Sequence, residues 1–314
     1  MAINIYLYIE IINQINDNYK YRFQCNLLIE FSNYDTITDK QFKSLINERM
    51  IQSMQGKFKI IDSHAHYDDE AFDEDRENVL NEIKENGVIQ VLNCAASYDS
   101  LKTTDKLTKD YDFIVGALGI HPENANEMKE DTIDEIKDYI KNNDKIVAIG
   151  EIGLDYYWKE NPPKEIQQEV FRKQMNLAKE LKFPVIIHDR DAHNDTLEIL
   201  KEFPSVTGVV HCFSGSVEFA KECIKLGYYI GFTGVVTFKN AKKLVEVAKE
   251  IPLEKILVET DCPYMAPEPN RGKRNKSDYI EYIITQIAEI KGIDPYEANL
   301  AFNENFIELI KKEN

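Results

Sequence analysis

The stretch Lys59-Ile60-Ile61-Asp62-Ser63-His64-Ala65-His66 determines how the rest of this chain is interpreted. It is an apolar run that ends in two histidines separated by a single residue, which is typical of a strand that delivers metal ligands. Side chains two residues apart on a strand point to the same face, so His64 and His66 are placed to hold one ion together. The prediction depends on further His, Glu or Asp residues at the ends of later strands, as at the C-terminal mouth of a β/α barrel.

From residue 57 onward, short β-branched runs alternate with longer amphipathic runs, which is typical of βαβ units and a parallel sheet. The predicted strands are Phe58–Asp62, Ile89–Cys94, Phe113–Leu118, Ile146–Ile149, Pro184–His188, Val206–His211, Tyr228–Phe232 and Ile256–Thr260. Eight strands, each followed by a helix, over about 250 residues predict an α/β fold of the (β/α)₈ TIM-barrel type. An open doubly wound sheet is the alternative, but no Gly-rich phosphate-binding turn follows the first strand.

The N-terminal segment, residues 1–53, shares no pattern with the rest of the chain and contains no Gly or Pro. We therefore divide the chain into an N-terminal extension (1–53) and a barrel domain (54–314). The extension is interpreted as a loosely attached or disordered segment, or the product of an over-extended reading frame, with a packed accessory segment as the alternative. Its apolar patch, Ile3 to Ile12, is too short and too polar to span a bilayer, so no membrane partner is expected.

Composition narrows the class of protein. The chain has 314 residues, 43% hydrophobic and 30% charged, which predicts a soluble globular protein with a well-buried core. Its formal net charge of -17 argues against a broad basic face that tracks nucleic acid. The five cysteines show no paired metal spacing, which fits free thiols in a reducing cytosol and predicts a cytoplasmic protein. The sequence leaves the oligomeric state open and is compatible with a monomer.

Further metal-ligand candidates lie at the ends of later predicted strands. Taken singly, a strand-end His is more often a hydrogen-bonded core residue, and an Asp there is commonly a helix cap. Jointly, six N/O ligands at one barrel mouth predict a two-ion site with a bridging carboxylate. The six candidates are His64, His66, Glu151, His188, His211 and Asp261.

Seven stretches carry a resemblance to a known family: IDSHAHYDD (61–69), ALGIHPE (117–123), AIGEIGLDYYW (148–158), PVIIHDRDAH (184–193), HCFSGS (211–216), ETDCPY (259–264) and PNRGKRN (269–275). In this order, over residues 57–312, the chain resembles the TatD family of metal-dependent deoxyribonucleases, within the wider amidohydrolase-like hydrolases. The resemblance implies two ligand sets that share Glu151: His64, His66, Glu151 and Asp261, and Glu151, His188 and His211. One departure is that Lys276-Ser277 stands where similar sequences often have Glu-Pro.

The expected chemistry follows from the ligand types. Two divalent ions about 3.5–4 Å apart suit in-line displacement at phosphorus. Glu151 is expected to bridge them, and Asp261 is the best candidate to orient or deprotonate the attacking water. Strand alternation places Asp62 and Glu259 one layer deeper on the same face, where they would orient ligands, with a structural salt bridge as the alternative. Two cofactor cations are predicted, and the N/O ligand set accepts Mg, Mn or Zn.

Substrate contacts are expected from few residues in so acidic a chain. Arg271, Lys273 and Arg274, with Lys276, follow the eighth strand and are predicted to contact phosphate, with a solvated basic loop as the alternative. Arg190 lies two residues beyond His188 and is expected to point into the same mouth.

His121 ends the third predicted strand. We expect it to contact a phosphate or a base, and a turn-stabilising His before Pro is the alternative. Tyr156, Tyr157 and Trp158 follow Glu151 and offer faces for stacking bases, or they pack against the barrel top.

The functional prediction is a hydrolase that cleaves phosphodiester bonds of DNA by two-metal activation of water. The resemblance implies a deoxyribonuclease, with 3′–5′ exonuclease action on single-stranded or damaged DNA as the expected mode. The alternative is an amidohydrolase or lactonase that uses the same ions on a carbonyl; such enzymes often bridge the metals with a modified lysine after the fourth strand, where this chain has Glu151. A metal-stabilised binding protein without turnover is a third hypothesis.

Overall fold

A computed structural model describes residues 58–311, so the predicted extension 1–53 lies outside the described residues. Eight parallel strands form one sheet in chain order. They are β1 Ile60–Ala65, β2 Val88–Cys94, β3 Ile114–Leu118, β4 Ile146–Asp155, β5 Val185–Arg190, β6 Gly208–Val210, β7 Tyr229–Phe232 and β8 Ile256–Val258. The sheet closes where the Asp261 N–H donates to the His64 carbonyl at 3.0 Å and Ala65 forms a parallel bridge to Cys262. The predicted barrel is confirmed, and an open sheet is excluded.

Helices follow the strands as the amphipathic pattern predicted. They are α1 Arg76–Glu85, α2 Tyr98–Asp110, α3 Thr132–Asn142, α4 Lys164–Leu181, α5 His193–Glu202, α6 Val217–Lys225, α7 Lys242–Glu250, α8 Ile280–Lys291 and α9 Pro295–Leu309. Local chemistry sets several of their starts. Ser97 and Ser100 form a capping box at α2, and Asp294 caps α9 before a proline in its first turn.

Apolar side chains form two layers. One cluster takes side chains from all eight strands, among them Ile61, Val115 and Leu257, and therefore fills the barrel interior; Phe306 and Leu309 of α9 pack against it. A larger cluster lies between the strands and the surrounding helices. Because the interior is filled with apolar groups, polar side chains collect at the ends of the strands.

All eight strands differ from their predicted bounds by one or more residues, and two of the differences bear on the site. β4 continues past Ile149 to Asp155 and pairs with β5 as far as Asp155 opposite Arg190. β6 ends at Val210, so His211 is the first residue of the following loop. The β4 extension carries the Asp155 side chain up to the mouth of the barrel. Among residues 58–311, no helix has both the length and the apolar character needed to cross a bilayer.

Candidate metal centre

All six predicted ligands lie together at the C-terminal end of the barrel strands. His64 is on β1 and His66 directly follows it, Glu151 is on β4, and His188 is on β5. His211 and Asp261 follow β6 and β8. Residues that are distant in sequence meet here because the carboxyl ends of parallel strands share one rim.

The first ligand set consists of His64, His66 and Asp261. The two Nε2 atoms lie 3.0 Å apart. The Asp261 Oδ1 atom is 3.7 Å from His64 Nε2 and 3.4 Å from His66 Nε2. These three ligand atoms surround one point, as a shared ion requires.

The second ligand set consists of His188 and His211. Their facing atoms, His188 Nδ1 and His211 Nε2, are 3.2 Å apart. The imidazole of His211 also stacks on that of His64, with ring centroids 3.9 Å apart, so the two sets are in direct contact.

Glu151 stands between the two sets and is buried, with 3% of its side chain exposed. Its Oε2 atom is 3.3 Å from His64 Nε2 and 3.5 Å from His66 Nε2. Its Oε1 atom is 2.9 Å from His188 Nδ1 and 2.6 Å from His211 Nε2. Each oxygen therefore faces one ligand set, which is the geometry that a bridging carboxylate needs.

In their neutral, metal-binding forms, His66 and His188 carry the proton on the outward nitrogen, which is hydrogen-bonded, and have a lone pair on the inward nitrogen. His66 Nδ1 lies 2.8 Å from the Cys94 carbonyl oxygen, which can only accept a hydrogen bond, so Nδ1 carries the proton and the Nε2 lone pair faces the centre. His188 Nε2 lies 3.0 Å from Asp155 Oδ2, so its Nδ1 lone pair faces Glu151. Asp155 was not predicted as a site residue. Its signal was present in the sequence, because it lies four residues after Glu151 in the same strand.

Glu259, predicted to orient ligands, accepts the Cys212 N–H at 2.5 Å and lies 3.6 Å from His211 Nδ1. Gly231 on β7 makes room for it, because a Cβ there would come within 2.7 Å of a Glu259 carboxylate oxygen. The carboxylate therefore places a negative charge behind the His211 ring.

Asp62 is the other residue predicted to orient ligands. Among residues 58–311, it forms no hydrogen bond to a ligand ring. Its carboxylate accepts from the backbone N–H of His64 and Thr260 and from the hydroxyls of Thr260 and Ser277. A register shift after Asp62 breaks the strict alternation on which its predicted placement depended. Burial raises the pKa of Asp62 to about 7, against the lowering effect of these hydrogen bonds. Ser277, where similar sequences often have Pro, supplies one of these donors.

The carboxylates and imidazoles of the centre shift one another's pKa values. Burial raises the pKa of Glu151, but the surrounding imidazoles, led by His211, outweigh it and hold that pKa well below its usual value. Burial likewise raises the pKa of Asp261, and a hydrogen bond with His66 brings it below the usual value. Burial lowers the pKa of His188, but hydrogen bonds to Asp155 and Glu151 raise it to about 9. Without a cation, protons therefore occupy part of the centre, and a bound cation would displace them.

The donor set fits divalent cations. Its nitrogen and oxygen atoms lie 2.6–3.7 Å apart, which suits edges between ligands bound at about 2.0–2.2 Å. Imidazole and carboxylate ligands of this kind accept several first-row metals and Mg. Three overlapping groups, each able to hold a cation, are present among the described residues, and Glu151 belongs to two of them.

His121 lies beside the second ligand set and is buried, with 7% of its surface exposed. Its ring meets the His188 ring edge-on, with centroids 4.3 Å apart. Burial and the neighbouring His188 lower the pKa of His121. Its Nδ1 atom accepts the Glu123 N–H, so the turn-stabilising interaction is present, while Nε2 faces Glu151 at 3.4 Å.

Arg190 lies at the rim of the mouth, stacked on two aromatic rings. Its guanidinium carbon is 3.9 Å from the Tyr157 ring centroid and 5.3 Å from that of Trp158. Both rings are exposed, 50% and 44% respectively, which excludes the core-packing alternative for these two. Tyr156 instead is hydrogen-bonded to Asp195 through its hydroxyl.

The predicted basic loop divides into two kinds of residue. Arg274 forms a two-point ion pair with Asp75, and Lys276 pairs with Glu82 and Asp278. Arg271 instead stacks on Phe238 at 4.2 Å.

Lys273 of the same loop donates to Asn270 Oδ1 at 3.1 Å. Within residues 58–311, no carboxylate pairs with Arg271 or Lys273. These two side chains therefore keep their charge available, whereas those of Arg274 and Lys276 are neutralised.

Comparison with known proteins places the chain among metal-dependent hydrolases. A family model described as TatD related DNase matches residues 61–311. An uncharacterized metal-dependent hydrolase of Bacillus subtilis, YabD, is 47% identical over 234 residues, which cover 74% of this chain and 91% of that protein.

Solved structures agree with this match. The TatD homologue YjjV of Escherichia coli superposes with a TM-score of 0.76 at 30% identity, covering 80% of this chain and 98% of that one. A TatD family hydrolase from Entamoeba histolytica gives a TM-score of 0.74 at 27% identity, covering 81% and 98% of the two chains.

Proposed function

The chain belongs to the TatD family of metal-dependent hydrolases, and from this premise we propose that it hydrolyses phosphodiester bonds of DNA with two divalent cations. The observation that carries the proposal is the placement of Glu151, with one carboxylate oxygen toward each ligand set. Two ions held by a shared carboxylate can stabilise both the attacking and the leaving oxygen of an in-line displacement. As ligands we assign the six residues of the centre.

The residues around the ions have separate tasks. Cations bound here would acidify a water molecule and offset charge on the phosphoryl oxygens. Asp261, whose pKa is lowered, is a carboxylate at neutral pH and can orient that water and accept its proton. Asp155 holds the ring of His188 through a 3.0 Å contact between its Oδ2 atom and Nε2, which keeps the Nδ1 lone pair toward the centre.

We prefer phosphodiester over carbonyl substrates because of the arginine side chains at the rim. Arg190 and Arg271 each lie on an aromatic face, and each has no carboxylate partner among residues 58–311. A guanidinium held in this way can pair with phosphate while the ring beside it stacks on a base. Such contacts suit unstacked bases, which supports single-stranded or damaged DNA as the substrate.

The experiment compares substrates on the same metal-loaded protein. We expect Mg²⁺ or Mn²⁺ to support cleavage of single-stranded DNA, chelator to abolish it, and a lactone and amide panel to remain unhydrolysed. Asp261→Asn should remove cleavage. Asp112→Asn should not, because Asp112 is a fully exposed carboxylate that precedes the N-terminal end of β3, at the opposite end of the strands from the centre. Lactone turnover in the absence of phosphodiester turnover would assign the same centre to carbonyl chemistry.

Two further expectations stay predictions. Cys94, Cys212, Cys223 and Cys262 are free thiols, which is consistent with a cytoplasmic protein. A monomer is compatible with a centre built from one chain, since all six proposed ligands belong to it.

A further inference from the structure

His121 lies close enough to the centre to be taken for another ligand. Its Nε2 atom is 3.4 Å from Glu151 Oε1, and together with His188 these residues form one of the groups that could hold a cation. The position of its second ring nitrogen, however, determines what Nε2 can do. A neutral imidazole has one N–H and one lone pair, and a metal ligand needs the lone pair.

The lone pair of His121 is already used on the far side of the ring. The Glu123 backbone N–H donates to His121 Nδ1 at 3.2 Å, as a cap of the short 3₁₀ helix Pro122–Glu127. A nitrogen that accepts a hydrogen bond carries no proton, so the proton of the neutral ring is on Nε2. His66 and His188 show the opposite arrangement, because their outward nitrogens lie against oxygen acceptors.

The backbone around His121 holds this orientation. The His121 N–H donates to the Ala96 carbonyl at 2.9 Å, and the Asn124 side chain donates to the same oxygen at 3.0 Å. The preceding residue, Ile120, exchanges two hydrogen bonds with the buried side chain of Gln174. A donor fixed in advance at a developing negative charge is worth more than one that must reorganise.

We propose that His121 is a catalytic residue and not a metal ligand, and that its Nε2–H donates a hydrogen bond to a nonbridging oxygen of the substrate phosphoryl group. The proton stays on Nε2 throughout, because the cap at Nδ1 favours this tautomer. The proposal rests on the phosphodiester hydrolysis proposed above. The 3.4 Å separation between His121 Nε2 and Glu151 Oε1 exceeds the usual 2.7–3.2 Å of an N–H···O hydrogen bond. The Nε2–H donor can therefore form a shorter hydrogen bond to the substrate when it binds.

Two substitutions separate the roles of the two ring nitrogens. His121→Asn places an amide oxygen where Nδ1 is, and Asn commonly accepts the N–H two residues on, so the cap is kept and the inward donor is lost. His121→Gln reaches to the position of Nε2 and presents an amide N–H there. We expect kcat for DNA cleavage to fall roughly 10²-fold in the Asn variant, the scale for loss of one such donor, with a smaller change in KM. The Gln variant should recover most of the loss.

Two readouts do not depend on activity. Elemental analysis should find wild-type metal content in both variants loaded with Zn²⁺. Nitrogen-15 NMR of histidine side chains in the Zn²⁺-loaded full chain should show two rings of the Nε2–H tautomer, that of His188 with a metal-shifted Nδ1 and that of His121 without one. The signal without the metal shift should disappear in His121→Asn. His193→Asn is the matched control, because His193 pairs with Asp189 and stacks on Phe219.

Each contrary result overturns the inference in a recognisable way. Loss of metal from His121→Asn would make His121 a ligand. Full activity in that variant would reduce it to a helix cap, and an Nδ1–H tautomer would contradict the donor assignment directly. Failure of the wild-type protein to cleave any phosphodiester would reject the proposed function instead, while the tautomer and metal content would still be measured.

Discussion

The two ligand sets around Glu151 obtain their negative charge in different ways. The first set includes a carboxylate, Asp261, whose oxygen faces both of its imidazoles. The second set has only imidazoles, and its carboxylates lie behind the rings: Asp155 at 3.0 Å from His188 and Glu259 at 3.6 Å from His211. Two cations bound here would be balanced in two ways, in the first set by a direct carboxylate ligand and in the second by carboxylates that make the imidazole ligands more basic.

Replacing Glu151 should have the largest effect, because it removes the one group that both sets share. In Glu151→Gln we expect metal content to fall below two ions per chain and DNA cleavage to drop by at least about two orders of magnitude. The fold should survive, since the apolar layers do not depend on this carboxylate. Elemental analysis, circular dichroism and a cleavage assay measure the three outcomes. Two tightly bound ions with near-normal cleavage would reject the bridge.

Replacing Asp155 should separate the two sets. In Asp155→Asn we expect one ion to bind about 10–100-fold more weakly, the scale for loss of an orienting partner, and the other to bind normally. The weakened ion should be the one assigned to His188 and His211. Calorimetric titration of the metal-free protein with Zn²⁺ would resolve the two sites. Asp189→Asn serves as the control, because this nearby carboxylate pairs with His193 and Thr196. Equal weakening of both sites would show that the sets are not independent.

The basic loop at the rim contains one arginine, Arg274, that is neutralised by a carboxylate and another, Arg271, that is not. Arg271→Gln should raise KM for DNA several-fold and reduce the slope of log affinity against log salt by about 0.7, the value for one contact with a single strand. Arg274→Gln should instead lower the melting temperature slightly, because Arg274 pairs with Asp75. Binding titrations at several salt concentrations and thermal unfolding distinguish the two effects. An unchanged salt slope in Arg271→Gln would return this residue to a solvated surface role.

Proton release should be the smallest effect, and it follows from the pKa of about 9 at His188. That raised pKa means that the metal-free protein holds a proton on His188 at pH 8, where an unperturbed histidine would not. The proton stabilises the metal-free fold below pH 6.5, and this contribution is lost as the pH rises through about 9. Metal binding should therefore strengthen between pH 7 and pH 9 and release a proton.

In Asp155→Asn, this release at pH 8 should be smaller by a fraction of a proton, because a cause of the raised pKa is removed. Titration in buffers of different ionisation enthalpy measures it. Identical release in the two proteins would show that Asp155 does not set the protonation of His188.

Much of the centre could be predicted from the sequence because its signals are local. Short β-branched runs that alternate with amphipathic runs predicted all eight strands in order, and residues at the ends of consecutive parallel strands must share a rim. The six candidate ligands therefore met where they were expected. The prediction for Asp62 extended strict alternation through β1, where the register shifts.

What only the tertiary structure decided is the partner of each polar group. Arg274 and Arg271 look alike in the sequence, yet Arg274 pairs with Asp75 of a distant segment while Arg271 lies on Phe238. The histidines of the centre also look alike, and the sequence does not state on which ring nitrogen each proton lies. That is set by acceptors such as Asp155 and by donors such as the Glu123 N–H. Strand and helix patterns follow from neighbouring residues, whereas charge pairing and tautomers depend on atoms that folding alone brings within 3–4 Å.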